Sequence, residues 1–342
     1  MALSTPSMSM PFWNPGGNQR AMELQSRLSS LRVQVIWCAA TEKENVRNIV
    51  IVRSAQPSTK PTLADVRGFI KVGQENSSSI ELYYEDHGSG PPVVLIHGWP
   101  LNGDAWEKQT AALLAAGHRV ITYDRRGFGR SSKPAIGYNY DTFAADLDAV
   151  LCALDLTGVS LVGHSMGTGE ITRYIGKFGT KRLSKAVLIG TLGPYLVKAP
   201  DNPEGIDANV FSRLQARIKA DRPATMMQFL KDFYSVGGAD GKLVSDLVIQ
   251  ANWTVAIGAS PVGTVACVDA WLEDFRKDIS RNDLPTMIIH GDDDRILPAD
   301  VTSRRQAKMI KGVKFLEIKG GSHGVPWTHA EEINSALVEF LA

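Results

Sequence analysis

The chain has 342 residues, of which 44% are hydrophobic and 21% are charged, and its formal net charge is +1. This composition is typical of a globular protein with enough chain for one large or two medium domains. No run of basic residues predicts a nucleic-acid or membrane-surface partner, and no stretch reaches the roughly 18 apolar residues of a membrane span. We therefore expect a soluble protein with a small-molecule partner, and a homo-oligomer stays open.

Residues 1–66 differ in composition from the rest of the chain. They are rich in Ser, Met, Pro and Gly, and Glu23 is the only acidic residue before Glu42. Because such a composition does not predict a compact domain, we place an N-terminal extension at 1–66 and a single domain at 67–342. Arginine without acid and many serines are typical of a plastid transit peptide followed by a linker. A disordered tail or a mispredicted start explains the composition equally well, and the expected location is then the cytoplasm.

Short β-branched runs alternate with helix-period segments from Gly68 onward. The predicted strands are 80–85, 93–97, 119–124, 159–163, 186–190, 286–290 and 313–319. Between them, segments such as 143–154 place apolar residues on one helical face, with Asp141 as the expected N-cap. The alternation predicts an α/β fold whose mostly parallel central sheet carries helices on both faces.

One interval interrupts this alternation. About ninety residues separate the strands 186–190 and 286–290, far more than one crossover needs. Helical patterns occur there at 207–220, 223–235, 240–251 and 262–275. We interpret them as a helical cap, inserted at about 195–275 over the carboxyl edge of the sheet. Most of its aromatic side chains are expected to be core, and a minority to line a substrate pocket.

The string GHSMG, Gly163 to Gly167, lies between a predicted strand and a predicted helix. A sharp turn there would lift Ser165 above the strand edge, and the flanking glycines would let backbone segments approach closely. The amide of Met166 would point at the reacting carbonyl from a helix N-terminus. A serine hydroxyl needs such placement near a base and an oxyanion site before it acts as a nucleophile. The turn therefore predicts Ser165 as the nucleophile.

The same pattern occurs a second time, as GGSHG around Ser322. Pro326 argues against a helix starting soon after it, and no Asp-then-His pair follows Ser322. Context therefore favours Ser165.

His323 follows the last predicted strand, and Asp294 follows the strand 286–290 within GDDDRILP. Ser, Asp and His in this order, each just past a different strand, match the triad of α/β-hydrolases. His323 would take the serine proton and return it to the leaving group, while Asp294 would fix the imidazole tautomer. Asp292 is the alternative to Asp294.

Metal and nucleotide sites are not predicted. The acidic run that contains Asp294 lacks the glycine and the later glutamate of a calcium loop. The cysteines form no zinc pattern; they are Cys38, Cys152 and Cys267. The Gly-rich turn DRRGFGRS at 124–131 lacks the lysine and the helix of a phosphate loop.

The second oxyanion donor should come from the loop after strand 93–97. Pro100 has no amide hydrogen, so the donor would be the N–H of Trp99, which the following proline holds in an extended conformation. His97 and His164 flank the site in sequence, and we interpret both as residues that position loops.

From about Gly68 to the C-terminus, the sequence resembles the cofactor-free haloperoxidases of the α/β-hydrolase fold, relatives of small aryl and alkyl esterases. GHSMG alone is shared by many hydrolases, whereas SMGTGE, GDDDRILP and HGVPWTHAEE are specific. The resemblance implies the triad Ser165, Asp294 and His323, and it implies that no metal, haem or flavin is used. It also implies the oxyanion amides of Trp99 and Met166.

The same resemblance implies that an ester or carboxylic acid acylates the serine, and that water or hydrogen peroxide then releases the acyl group. Perhydrolysing relatives are similar in having proline after the oxyanion-loop aromatic residue, where Pro100 stands. We expect Pro100, Trp253 and Trp327 near the substrate. The alternative is a ligand receptor of the same fold with little turnover, and turnover of p-nitrophenyl acetate would separate the two.

Overall fold

A computed structural model describes residues 66–237 and 244–342. The extension predicted at 1–66 lies outside the described residues apart from Val66, so its boundary and its role stay predictions. Within the described part of the chain, eight strands form one sheet in the order β1-β2-β4-β3-β5-β6-β7-β8. The pairings from β4 to β8 are parallel, and those of β1 with β2 and of β2 with β4 are antiparallel. The predicted α/β fold with a mostly parallel sheet is confirmed.

The strands are β1 (Val66–Glu75), β2 (Ser78–His87), β3 (Pro92–Ile96), β4 (Arg119–Tyr123), β5 (Val159–His164), β6 (Leu183–Ile189), β7 (Thr286–Gly291) and β8 (Lys314–Ile318). All but β1 coincide with a predicted run to within a few residues. In β1 no β-branched run stands out, because Gly68 and Gly73 interrupt it.

The sheet has a separate apolar core on each face. In β3, Val94 and Ile96 belong to one cluster, and Val93 and Leu95 belong to the other. Successive side chains of a strand point to opposite faces, so a strand covered on both sides is apolar throughout. This is why the predicted strands are continuous apolar runs.

Helices cover both faces. Helices on one face are α2 (Tyr140–Ala153) and α3 (Met166–Phe178), and those on the other are α1 (Glu107–Ala115) and α11 (Ala330–Leu341). The N-cap of α2 is Asn139, whose side chain accepts a hydrogen bond from the Thr142 N–H. Our expectation of Asp141 as this cap is wrong; Asp141 lies within the first turn and pairs with Arg173 and Lys177.

The chain between β6 and β7 forms the predicted cap. Its helices are α4 (Ala208–Ala220), α5 (Arg222–Phe233), α6 (Asp246–Gly258), α7 (Pro261–Ala270) and the short α8 (Arg276–Ile279). Arg173 links α3 to this segment. Its Nη1 lies 3.0 Å from the Glu273 Oε2, and its Nε lies 2.8 Å from the Asp278 Oδ2. The remaining helices are α9 (Ser303–Ala307) and α10 (Val325–Thr328).

Among the described residues, no single helix is both long and apolar enough to cross a membrane. The pair α6 and α7 reaches that length and composition only together, and the two helices are bent by 95° at their junction. Within the same residues, no group of three His, Cys, Asp or Glu side chains has the arrangement to hold a metal ion.

Candidate active site

Ser165 lies at the turn between β5 and α3, in a backbone conformation that few side chains adopt. Its φ is 53° and its ψ is −120°. The turn is possible because two glycines leave room for neighbouring backbone. A Cβ on Gly167 would lie 2.3 Å from the Ile96 carbonyl oxygen, and one on Gly163 would lie 2.7 Å from the Gly167 oxygen. These close approaches explain the Gly-x-Ser-x-Gly pattern.

Hydrogen bonds to its main chain hold the turn at Ser165. Its N–H donates to the Ile189 carbonyl at 2.8 Å. Its carbonyl accepts from the Thr168 N–H at 2.9 Å and from the Thr168 hydroxyl at 2.6 Å. Thr168 is fully buried, and its hydroxyl oxygen also accepts from the Leu192 N–H at 3.2 Å. The strained residue is thus fixed from two directions.

His323 and Asp294 are in direct contact. The His323 Nδ1 lies 2.6 Å from the Asp294 Oδ2, and both side chains are buried. The other carboxylate oxygen accepts from the N–H groups of Ile296 and Leu297 at 2.9 and 2.7 Å. Burial alone would raise the pKa of Asp294, but the charge of His323 and contact with His290 outweigh it and hold that pKa well below its ordinary value. Asp294 is therefore ionised, and His323 carries its proton on Nδ1.

His164, which precedes Ser165 in the chain, contacts His323. Its Nε2 donates to the His323 carbonyl oxygen at 2.9 Å, and the two rings are 5.0 Å apart. A Cβ on Gly190 would touch both rings, at 3.3 Å from His323 and 3.5 Å from His164. The His323 Nε2 is buried and has no hydrogen-bond partner among the described residues. Ser165, Asp294 and His323 therefore lie just past the carboxyl ends of β5, β7 and β8, with Asp294 in contact with His323, and their joint action as a triad stays a prediction.

His164 itself is not a candidate acid or base. Burial, followed by the charge of His323, lowers the pKa of His164 to about 3. A neutral imidazole that donates to a carbonyl positions the backbone next to it, as the sequence predicts.

The loop after β3 lies directly against Ser165. A Cβ on Gly98 would be 3.0 Å from the Ser165 Cβ, so Trp99 follows a residue that has no room for a side chain beside the serine. Trp99 is buried, and the peptide bond between it and Pro100 is cis. Met166 is the first residue of α3, where main-chain N–H groups have no acceptor within the helix. Met166 follows Ser165 directly and Trp99 belongs to the loop beside it, and the role of their amides as oxyanion donors stays a prediction.

A buried polar network supports this loop, and apart from His97 the sequence analysis missed its members. His97 Nδ1 donates to the Gly98 carbonyl at 2.8 Å, and its Nε2 accepts from the Arg125 N–H at 2.9 Å. Burial, followed by the charge of Arg125, holds the pKa of His97 well below its ordinary value. Arg125 also donates to the His97 carbonyl at 2.9 Å and to Glu170 at 2.7 Å. The hydroxyl of Tyr123 donates to the other Glu170 oxygen.

The available sequence signal was a charged residue within each of two motifs. Arg125 belongs to the Gly-rich turn after β4, and Glu170 ends the string SMGTGE. A charged residue five positions after the nucleophile, on a helix predicted to cover the sheet, calls for an opposite charge nearby.

Cap side chains form the apolar wall of the site. The Trp99 ring packs edge-on against Phe229 at 4.8 Å and against Trp271 at 5.0 Å. Phe233 packs edge-on against His323, also at 5.0 Å. These three cap residues were not among the predicted pocket residues.

Pro100 is buried next to Trp99, and the other two pocket candidates contact a cap carbonyl and a lysine. Trp253 donates its indole N–H to the Pro223 carbonyl at 2.8 Å. The ammonium of Lys108 lies 4.5 Å from the centre of the Trp327 ring. Pro100, Trp253 and Trp327 therefore stay predictions as substrate contacts.

The other serine in a Gly-x-Ser-x-Gly pattern, Ser322, binds the backbone of its own loop. The Ser322 hydroxyl oxygen accepts from the Gly324 N–H at 3.2 Å. A short helix, α10, does begin at Val325, so the expectation that Pro326 excludes a helix there is wrong. Proline is tolerated in the first turn, where its missing N–H would have no partner. The alternative acid, Asp292, accepts from the Gly320 N–H at 2.6 Å.

The strand order, the serine at a strand-to-helix elbow and the adjacent His–Asp pair define a hydrolase of the α/β class. The chain belongs to the α/β-hydrolase fold family, whose model matches residues 91–330.

Three similar proteins indicate which members of this family the chain resembles. A Synechocystis sp. protein described as a candidate non-heme chloroperoxidase is 55% identical over 273 residues, which are 80% of this chain and 99% of that protein. The crystal structure of a Bacillus anthracis bromoperoxidase has a TM-score of 0.78 and 48% identity, covering 81% of this chain and 99% of that one. A bifunctional esterase/perhydrolase of Acinetobacter calcoaceticus is 33% identical, covering 77% and 96%. The resemblance inferred from the sequence motifs is confirmed.

Proposed function

We propose that this protein hydrolyses small carboxylic esters through an acyl-enzyme on Ser165, and that it also uses hydrogen peroxide as an acyl acceptor. The observation that carries the proposal is the 2.6 Å contact between His323 and Asp294 beside the strained turn at Ser165. The names of the similar proteins, which include a bifunctional esterase/perhydrolase, support the same chemistry.

In the acylation step, His323 Nε2 takes the proton of the Ser165 hydroxyl as its oxygen attacks the ester carbonyl. The resulting oxyanion accepts hydrogen bonds from the amides of Trp99 and Met166. His323, which Asp294 stabilises as a cation, then gives the proton to the leaving alcohol. The products are the free alcohol and an acyl ester of Ser165.

Deacylation repeats these steps with a second nucleophile. Water gives a carboxylic acid, whereas hydrogen peroxide gives a peracid; in either case His323 takes one proton from the nucleophile and returns it to Ser165. A peracid oxidises halide to hypohalite and is itself reduced to the carboxylic acid. This sequence explains how a serine hydrolase gives haloperoxidase activity without a redox centre in the protein.

The test compares two serines that share one sequence pattern. Ser165→Ala should lower kcat for p-nitrophenyl acetate by at least about a hundredfold, as removal of a triad member does. Ser322→Ala, the matched control, should keep most of the activity. Equal turnover by wild type and Ser165→Ala would overturn the proposal.

The peroxide branch has its own assay. The wild-type protein with acetate, hydrogen peroxide and bromide should brominate monochlorodimedone, and Ser165→Ala should not. A wild-type protein that hydrolyses esters but leaves the dye unchanged would restrict the function to hydrolysis.

A plastid location is a separate proposal, supported by the composition of residues 1–66 alone. N-terminal sequencing of the mature protein tests it. A start within about residues 39–66 supports targeting, and a chain that still begins at Met1 contradicts it.

A further inference from the structure

A second histidine contacts the carboxylate of the proposed triad. His290, near the end of β7, is fully buried. Its Nε2 lies 2.8 Å from the Leu297 carbonyl oxygen and 3.2 Å from the Asp294 Oδ2. A carbonyl oxygen only accepts, so this nitrogen carries the proton and donates it. The positive end of the N–H dipole therefore lies close to the Asp294 carboxylate.

The other ring nitrogen of His290 fixes its charge. Nδ1 is buried and has no hydrogen-bond partner among the described residues. Protonation there would bury a cationic N–H group without an acceptor, which costs free energy. The contacts of His290 thus fit one proton, on Nε2, whereas the proposed role of His323 requires it to gain and lose a proton in each cycle.

His290 also closes a ring of contacts around the carboxylate. Leu297 donates its N–H to the Asp294 Oδ1 at 2.7 Å, and its carbonyl oxygen accepts from His290. The Oδ2 atom lies between His290 at 3.2 Å and His323 at 2.6 Å. The His290 imidazole therefore contacts both the carbonyl of Leu297, whose N–H binds Oδ1, and the Oδ2 atom that faces His323.

We infer that His290 is a positioning residue, which aims the Asp294 carboxylate at His323 and moderates its negative charge. The inference rests on the proposed triad. Because a donor near Oδ2 withdraws negative charge, His323 binds a proton less tightly when His290 is present. More of His323 is then the free base at a given pH, which is the form that accepts the Ser165 proton.

The other polar groups around this cluster do not provide that effect. His164, beside His323, stays neutral because its pKa is lowered to about 3. Asp293 pairs with Arg295 at 3.2 Å near the surface, and Asp292 accepts from the Gly320 N–H. The variants below leave all of these groups in place.

Two variants of His290 test the inference. His290→Leu removes the donor, whereas His290→Gln keeps an N–H near the position of Nε2. We measure kcat and kcat/KM for p-nitrophenyl acetate between pH 5 and pH 9. In His290→Leu the acidic limb of kcat/KM should move to higher pH by about half a unit or more. Its plateau kcat should fall about tenfold with KM changed less than about twofold, and Gln should restore both quantities.

An unchanged acidic limb in a folded His290→Leu protein overturns the inference, as does a His290→Gln protein that behaves like Leu. If His290→Leu does not fold, nitrogen NMR of wild-type protein labelled at histidine decides the question. His290 should show one protonated nitrogen, Nε2, throughout the titration of His323; a doubly protonated His290 at neutral pH overturns the inference. The Ser165→Ala assay tests the triad independently, so failure of the triad can be distinguished from failure of the role of His290.

Discussion

Arg125 and Glu170 form an ion pair that is almost completely shielded from solvent, with 2.7 Å between the Arg125 Nε and a Glu170 oxygen. Arg125 also binds the carbonyl of His97, two residues before Trp99. Glu170 lies on α3, the helix that begins at Met166. The pair therefore connects the two segments that carry the proposed oxyanion amides, and it fixes their relative position.

We expect Glu170→Gln to destabilise the protein and to slow catalysis. The amide has nearly the same shape, but it leaves the Arg125 guanidinium buried without a counter-charge. Breaking a buried pair in this way costs about 3 to 5 kcal/mol. The free energy of unfolding in urea should fall accordingly, and kcat for p-nitrophenyl acetate should fall more than KM rises.

The matched control is Glu273→Gln, which breaks an ion pair of α3 that is partly exposed. That change should cost less than about 1 kcal/mol. Equal losses of stability in the two variants would contradict the role of the buried pair.

The parts of this protein that follow from local pattern could be predicted from the sequence. The strands β2 to β8 are short apolar runs, the cap helices are periodic apolar segments, and Ser165, Asp294 and His323 each follow a strand. Arg125, Glu170 and His290 could not be assigned in the same way. Their importance depends on which side chains meet in the interior, and a single sequence does not encode that pairing in any local period.

The apolar wall of the site could not be predicted from the sequence either. The cap aromatics Phe229, Phe233 and Trp271 contact Trp99 or His323. Trp253, which is also an aromatic residue of the cap, donates a hydrogen bond to a cap carbonyl instead. Only the packing of the cap on the sheet distinguishes these side chains.

Gly98→Ala should reduce turnover by crowding the nucleophile. The added methyl group would lie 3.0 Å from the Ser165 Cβ and 3.1 Å from the His164 Nδ1, closer than ordinary packing allows. The Trp99 loop would have to move away from Ser165, so we expect kcat to fall at least about tenfold. Stopped-flow measurement of acylation with p-nitrophenyl acetate reports this step directly.

Gly258→Ala serves as the control for this prediction, because a methyl group there meets no atom within 4 Å. Its kcat should equal that of wild type. A Gly98→Ala protein with normal acylation would show that the loop does not need its close approach to Ser165.

Thr168→Val should weaken the turn at Ser165 while preserving the shape of the side chain. The lost hydroxyl donates to the Ser165 carbonyl at 2.6 Å and accepts from the Leu192 N–H. The free energy of unfolding should fall by about 1 to 3 kcal/mol, because Leu192 loses a buried acceptor. Activity should fall as well, since Ser165 is then less firmly held in its strained conformation.

Thr172→Val, one turn later on α3, is the comparison. Its hydroxyl donates at 2.8 Å to the Thr168 carbonyl, a backbone group of the helix, rather than to Ser165. Loss of stability without loss of activity is expected there. If both variants lose activity equally, the hydroxyl of Thr168 has no special part in holding the nucleophile.

The stability of the protein should fall with pH below about 6.5 because His164 is buried in its neutral form. Its pKa is about 3 in the folded protein, whereas an unfolded histidine has a pKa of about 6.5. Between these values the unfolded chain binds a proton at His164 that the folded protein does not, so unfolding is favoured as pH falls. The loss is about 1.4 kcal/mol per pH unit in that window, and none arises from this residue above it.

His164→Gln keeps a donor for the His323 carbonyl and removes the titrating group. Urea unfolding of both proteins at pH 7.5 and pH 5.0 should show a difference in stability that shifts by about 2 kcal/mol in favour of Gln at the lower pH. Since the other histidines are common to both proteins, a difference that does not change with pH would mean that His164 is protonated in the folded state.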